Sequence, residues 1–184
     1  MPSVNNNKTK TAADELLGTV DFFGVDGDNR QLAGQIRCYA DAAASAGAVP
    51  GRFEFWVANS AGTLVEVTEI ASTGKFGYSA NGGTVTQLTN KSTGATLSKA
   101  SGQVTMNNAS LDSNTTVSFT LTNTLIAATD ILVLNHVSGG TAGSYSLNAQ
   151  CGAGSASINV RNITGAPLAE AIVIAFVLIK GVTS

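Results

Sequence analysis

The fold is decided by the longest uninterrupted apolar run in the chain, Ala171-Ile-Val-Ile-Ala-Phe-Val-Leu-Ile179. Its density of β-branched residues favours a strand, although periodicity alone leaves a helix open for 168–179. A shorter run, Ile131-Leu-Val-Leu134, is also apolar at every position. Strands of this kind are covered on both faces, whereas an antiparallel sandwich normally exposes one face to water. The second face therefore needs another sheet or another subunit.

The strands around these runs alternate between apolar and polar residues. In Thr115–Leu121 and in Ser155–Asn162 the apolar side chains occupy every second position. Strands spaced by about 8–12 residues with small polar turns between them are typical of a sandwich or barrel. We therefore predict an antiparallel, jelly-roll-like β-sandwich over residues 101–184 that forms the assembly and tip domain.

The sequence pattern of the N-terminal half predicts a second all-β unit with short strands. Arg52–Ala58 and Leu64–Ile70 alternate with period two around the turn sequence Asn59-Ser-Ala-Gly62, which indicates a hairpin. We predict a β module over 18–80 and an N-terminal arm or attachment segment over 1–17. A Gly- and Ser-rich connector with short extended pieces, such as Thr84–Leu88, is expected over 81–100.

Composition narrows the classes of function. Charged residues make up 12% of the 184 residues, against about 25% in a typical soluble domain. A net charge of −2 without a basic cluster argues against nucleic acid or an anionic membrane as a partner. The longest apolar run is too short for a spanning helix, so no membrane insertion is expected. The low charge indicates extensive burial, most simply in an oligomer.

A search for chemistry leads to the prediction of no catalytic, cofactor-binding or metal-binding residue. His136 could be a general base or ligand, but a strand histidine facing a turn or an interface is favoured, because no HxH, HxxxH or CxxC motif accompanies it. Val25-Asp-Gly-Asp-Asn29 lacks the bidentate glutamate of a calcium loop and predicts a turn. Cys38 and Cys151 are expected to be free thiols. Glycosidic chemistry needs a pair of carboxylates. We expect the carboxylates of this chain instead to lie on solvated faces or to pair with Arg52 across strands.

The N-terminal half resembles a module common in tail fibres of tailed bacteriophages. The stretch Asn7–Asn29 carries the likeness to its opening pattern D-x-LG-x-I-x-F-x-G-x-DG, and residues 17–27 follow LG-x-I-x-F-x-G-x-DG with valine in place of isoleucine. Three later stretches match in order: Gly34-Gln-Ile-Arg-Cys-Tyr-Ala-Asp41, Val49-Pro-Gly-Arg-Phe-Glu-Phe55 and Glu66-Val-Thr-Glu-Ile-Ala-Ser-Thr-Gly74.

The C-terminal half resembles a fibre-tip or head-fibre domain of phage and prophage proteins. Its marks include Ser118-Phe-Thr-Leu-Thr-Asn123, Ser138-Gly-Gly-Thr-Ala-Gly-Ser-Tyr145 and Ser155-Ala-Ser-Ile-Asn-Val-Arg-Asn-Ile-Thr-Gly165. Together the two resemblances run from about Asn7 to Gly181. They imply a homotrimeric fibre or spike of the virion, attached to tail or capsid, that contributes to host-surface adsorption and is assembled in the host cytoplasm.

The resemblance leaves open which kind of virion protein this chain is and which partners it contacts. A capsid decoration protein without receptor binding is the main alternative, and a polysaccharide depolymerase is disfavoured. The expected partners are other copies of the chain, virion proteins held by the N-terminal segment, and a host glycan or protein. Tyr145 and Tyr78 are the predicted receptor contacts, whereas Trp56 is expected to be packed.

We predict the subunit interface on the bulky face of the last strand. Its residues are Ile172, Ile174, Phe176 and Leu178. A charge at Ile174 would bury an unpaired ion, so Ile174→Asp is expected to abolish assembly.

Overall fold

A computed structural model describes residues 10–78 and 82–181. The chain divides into two compact units, 1–80 and 81–184, and each is described by itself. Both are built from β-strands, and no helix occurs among the described residues. The prediction of an all-β protein is therefore confirmed.

The N-terminal unit is a single five-stranded sheet in which each strand pairs with the next in sequence. All four pairings are antiparallel. The strands are β1 (Leu16–Val25), β2 (Arg30–Ala40), β3 (Gly51–Ala58), β4 (Leu64–Ile70) and β5 (Phe76–Gly77).

Turn chemistry explains why this sheet is a meander. Between β1 and β2 the Asp26 carboxylate accepts a hydrogen bond from the Asn29 backbone N–H at 2.9 Å, as in an Asx turn. Between β3 and β4 the Asn59 side chain accepts from the backbone N–H groups of Ala61 and Thr63. Gly62 follows with a φ of 76°, a conformation that favours glycine. These two short, polar turns bring β1 to β2 and β3 to β4.

Residues 10–15, predicted as part of a mobile arm, are tied to the sheet. The backbone N–H of Asp14 donates to the Ala40 carbonyl, and that of Ala40 donates to the Glu15 carbonyl. The arm prediction is therefore corrected for these residues, because their backbone groups continue the pairing of β1 with β2. Residues 1–9 lie outside the described part of the chain.

The C-terminal unit is a sandwich of two four-stranded sheets, in the orders β10-β13-β8-β6 and β11-β12-β9-β7. The strands are β6 (Gly83–Thr86), β7 (Ala95–Thr96), β8 (Ser101–Thr105), β9 (Thr116–Thr122), β10 (Ile131–Ser138), β11 (Tyr145–Gly152), β12 (Ser155–Asn162) and β13 (Val173–Ile179).

The order of strands in the sandwich differs from a series of hairpins. From β6 to β11, consecutive strands alternate between the two sheets, and only β11 and β12 form a hairpin. Crossing between two packed sheets is the feature that jelly-roll architectures share. The sheets are mixed rather than purely antiparallel, because β6 pairs with β8 and β7 pairs with β9 in parallel.

The segment 81–100, predicted as a connector, is part of the sandwich. It contains β6 and β7, which are edge strands of the two sheets. The extended piece predicted at Thr84–Leu88 overlaps β6, whereas β7 was not predicted, since it is short and has few apolar side chains. The connector prediction is therefore corrected.

The core of the sandwich lies between the two sheets. It is made of the inward side chains of β8 to β13 together with Met106, Leu111 and Ile126 from the connections. Two buried asparagines satisfy the backbone at the strand ends: Asn162 Nδ2 donates to the Leu111 carbonyl at 3.0 Å, and Asn123 Nδ2 donates to the Lys99 carbonyl at 2.7 Å. Buried polar groups that are paired in this way add specificity to an apolar core.

Candidate interaction surfaces

The predicted subunit interface lies inside the sandwich. The side chains of Ile172, Ile174, Phe176 and Leu178 are at most 1% exposed and belong to the core between the two sheets. The chain's own second sheet covers this face of β13, so these residues are not available to another subunit. The interface prediction is therefore corrected. Sequence reasoning identified an apolar strand but assigned its two faces the wrong way round.

The opposite face of β13 carries a second set of apolar side chains that the sandwich leaves uncovered. Register pairs Ile179 with Ile131 and Val177 with Val133 across β13 and β10. These four side chains are between 41% and 59% exposed. We call them the sandwich stripe. One face of these apolar strands is open in a single copy. That this face is covered by another subunit stays a prediction.

The part of this outer surface that β8 and β6 form is polar. The outward residues of β8 are Ser101, Gln103 and Thr105, and those of β6 are Thr84 and Thr86. The sandwich stripe is thus confined to β10 and β13, at one edge of the sheet.

The outer face of the other sheet contains hydroxyl and amide groups with almost no charge. Ser118 Oγ donates to Asn159 Oδ1 at 2.5 Å, and Asn159 Nδ2 donates to Asn148 Oδ1 at 2.6 Å. This ladder crosses β9, β12 and β11. Its residues bond to one another along the face, and such a surface is well solvated.

The N-terminal sheet has one face without a charged residue, which we call the N-terminal apolar face. Directly paired residues of antiparallel strands share a face, and the register sets them in three rows. The rows are Gly18, Cys38, Phe53, Ile70 and Phe76; Val20, Ile36, Phe55 and Thr68; and Phe22, Gly34, Val57 and Val65.

The N-terminal apolar face is widely exposed. Seven large apolar side chains of this face are exposed by 37% to 75%. These are Val20, Phe22, Phe53, Val57, Val65, Ile70 and Phe76. Sequence reasoning noted the alternation in Arg52–Ala58 but did not recognise that all five strands contribute apolar residues to one uncharged face.

The other face of this sheet is charged and internally paired. The Arg52 guanidinium donates through Nε to the Glu54 carboxylate at 2.8 Å and through Nη1 to Asp14 at 2.8 Å. The Trp56 indole donates to Glu54 at 2.9 Å, and the Arg37 guanidinium lies 4.0 Å from the centroid of the Trp56 ring. Trp56 is thus partly buried by its own neighbours. Arg52 satisfies the carboxylates of Glu54 and Asp14 on this face.

One carboxylate of the charged face is poorly accommodated. Glu66 Oε1 is buried without a hydrogen-bond partner among the described residues. Burial, reinforced by the nearby carboxylates of Glu54 and Glu69, raises the pKa of Glu66 above its usual value of 4.5. A buried polar atom without a partner lowers stability.

The two predicted receptor contacts have different environments. Tyr145 is only 9% exposed, and its hydroxyl donates to the Glu170 carboxylate at 2.8 Å. Burial is the main reason why its pKa is raised. Tyr145 is a packed residue of the sandwich, so this part of the prediction is corrected. Tyr78 is 39% exposed just after β5, and its contact with a receptor stays a prediction.

His136, which was considered for catalysis, and the buried Lys91 both have structural partners. His136 Nε2 lies 2.6 Å from the Gly139 carbonyl and 3.0 Å from that of Ser138, which fixes the ring against a turn. Lys91, 3% exposed, donates to the carbonyls of Asn107 and Glu170. Burial lowers the pKa of Lys91. These contacts anchor loops to the ends of strands.

The remaining candidate features are a metal site, a membrane-spanning helix and the two thiols. No group of three or more His, Cys, Asp or Glu is placed to hold a metal ion in the described parts of the chain. Within 10–78 and 82–181, no helix is long and apolar enough to cross a membrane. Cys38 and Cys151 are free and partly buried.

A scan against models of known protein families matches no family, and a search of the curated proteins finds no match.

Proposed function

We propose that this chain is a structural protein of a tailed-bacteriophage virion, a short homotrimeric fibre or spike attached to tail or capsid. In this proposal it acts at the host surface, and its N-terminal segment holds it to other virion proteins. The ordered motifs of the two sequence halves support the phage origin. The all-β architecture with two compact units is compatible with a fibre subunit.

The observation that carries the proposal is the sandwich stripe. Val133 and Val177 are 48% and 41% exposed on a strand pair whose other face packs into the core of the sandwich. Exposed contiguous apolar patches mark interaction sites on folded proteins. Because the stripe lies at one edge of its sheet, the stripes of three copies can meet around a threefold axis. Closed cyclic symmetry of this kind is the usual arrangement of homo-oligomers.

Light scattering coupled to size-exclusion chromatography tests the assembly. At micromolar concentration we expect a mass of three times the 18.6 kDa of one chain. A chain that stays monomeric under these conditions contradicts the proposal. Electron microscopy of virions carrying the labelled protein then distinguishes a tail position from a capsid position.

A second candidate is a capsid decoration protein without receptor binding. The burial of Tyr145 favours it, because one of the two aromatic side chains expected to contact a receptor is packed inside the sandwich. Adsorption of the purified protein to host cells separates the two candidates. Binding that Tyr78→Ala weakens supports the fibre, and an absence of binding to any host favours decoration.

A further inference from the structure

We propose that the N-terminal apolar face packs against the same face of the other copies of this chain around the threefold axis of the assembly. The inference rests on the proposed function, in which the chain assembles with itself. It adds a second interface, in the N-terminal unit, to that of the sandwich stripe.

The first argument is the segregation of charge between the two faces of the sheet. The three rows of the N-terminal apolar face contain no Asp, Glu, Lys or Arg. The opposite face contains Asp21, Arg37, Arg52, Glu54, Glu66 and Glu69. A surface of uniform apolar character matches an identical surface without leaving any charge unpaired.

The second argument is the lack of cover within the unit. Residues 10–78 form one sheet, and a sheet with an apolar face is stable only when that face is buried against another layer. The described residues of this unit include no second sheet and no helix to provide that layer. A second copy of the same sheet supplies it.

The third argument is area. If a large apolar side chain has about 150–200 Å² of surface, the exposed fractions of the seven large residues on this face amount to roughly 500–700 Å² per copy. A stable interface buries about 800 Å² per partner. The face is thus of the size that a specific association between two chains requires.

The fourth argument is shape. Gly34 leaves a groove of about 350 Å³ in the sheet, lined mainly by Phe22, Ile36, Phe55 and Val57. The same face carries a projecting side chain, Phe76, which is 75% exposed. Each copy therefore provides both a groove and an aromatic side chain that can enter one, which fits a partner identical to itself.

Charge complementation in the full-length chain tests the inference. One variant carries Val20→Lys with Val57→Lys, and the other carries Val20→Glu with Val57→Glu. Each should lose the N-terminal association, and the assembly should fall in mass or dissociate at least tenfold more readily. Mixing the two in equal amounts should restore trimers of the wild-type mass, because lysine and glutamate side chains face each other in trimers that contain both variants. Thr19→Lys, next to Val20 on the charged face, is the matched control and should assemble normally.

The outcomes separate the inference from the proposed function. A monomeric wild-type chain overturns both. A wild-type trimer that persists in both charged variants overturns the N-terminal interface and leaves the proposed function standing. Two folded variants that dissociate but do not recombine overturn the pairing of identical faces.

Hydroxyl-radical footprinting of the wild-type chain gives an independent measurement that needs no variant. Phe22 and Phe53 are about half exposed in a single copy, and Leu88 is 85% exposed. In the assembly we expect strong protection of the two phenylalanines and full oxidation of Leu88, which serves as the internal reference. Oxidation of Phe22 and Phe53 in proportion to their single-copy exposure overturns the inference.

Discussion

Val133 and Val177 face each other across β10 and β13 on the outer surface of the sandwich, while Ile174, three residues before Val177, is buried completely. One strand therefore presents an internal and an external apolar face. The two faces lead to opposite expectations for substitutions that would look equivalent in the sequence.

Val177→Lys is expected to weaken assembly without unfolding the sandwich. The side chain is 41% exposed, so a lysine can extend into water in a single copy but would be buried in the oligomer at a cost of several kcal/mol. Light scattering should show dissociation, and circular dichroism should show an unchanged melting temperature. Thr120→Lys, on the outer face of the other sheet, should change neither. Wild-type assembly of Val177→Lys would contradict the role of the sandwich stripe.

Ile174→Asp is expected to unfold the C-terminal unit rather than only to block assembly. The side chain is fully buried in the core, and a carboxylate there costs several kcal/mol. Ile174→Val, which removes one methylene, should cost about 0.5–1.5 kcal/mol. Thermal melts followed by circular dichroism measure both. Fluorescence of Trp56, the single tryptophan, reports independently on the N-terminal sheet. A folded but monomeric Ile174→Asp would restore the original interface prediction.

Asp130 is expected to make the sandwich sensitive to acid. Its carboxylate is bonded to the Lys180 ammonium and to the backbone N–H groups of Ala127 and Gly181. These bonds lower the pKa of Asp130 from 3.8 to about 2. Because the folded-state pKa is depressed, the stabilisation is present above pH 3.8 and is lost as the pH falls towards 2.

Calorimetry across this range, with Asp130→Asn beside the wild type, measures the effect. The variant should melt several degrees lower at neutral pH, and the difference should shrink between pH 4 and pH 2. Asp112→Asn, at an exposed carboxylate of the same unit, is the control. A constant difference at all pH values would show that Asp130 acts through packing alone.

Glu66→Gln is expected to stabilise the N-terminal sheet at neutral pH. The folded-state pKa of Glu66 is raised above 4.5, so the wild type loses stability as the pH rises from 4.5 to that higher value. An amide removes this loss. The gain should stay below about 1 kcal/mol, because the group is partly exposed and screened by solvent. Trp56 fluorescence during urea unfolding measures it.

The difference between Glu66→Gln and the wild type should close below about pH 4, where the carboxyl is protonated in both states. Asp28→Asn, at the exposed turn between β1 and β2, serves as the charge-matched control. A gain that persists at pH 3 would mean that the charge of Glu66 is not its cause.

Local alternation predicted most of the strands. Ser155–Asn162 and Leu64–Ile70 were predicted with the bounds that the structure has, and the apolar run Ile131–Leu134 lies within β10. Period-two patterning reports whether a strand has one exposed face and one buried face. That information is local, so the sequence alone contains it. The pairing of β6 and β7 with distant strands is not local. An extended piece was predicted at Thr84–Leu88, which overlaps β6, but neither its pairing nor β7 was predicted.

The sequence alone determined that the chain is all-β, poor in charge, and terminated by a strand that is apolar on both faces. Only the tertiary structure decided which face of that strand the chain covers for itself. The physical reason is that Ile174 and Val177 are equally apolar, so hydrophobicity sets the need for burial but not the partner. That choice follows from the crossing of strands between two sheets. In the N-terminal sheet, no described residue of the same unit covers the apolar face. That face is therefore left for another copy.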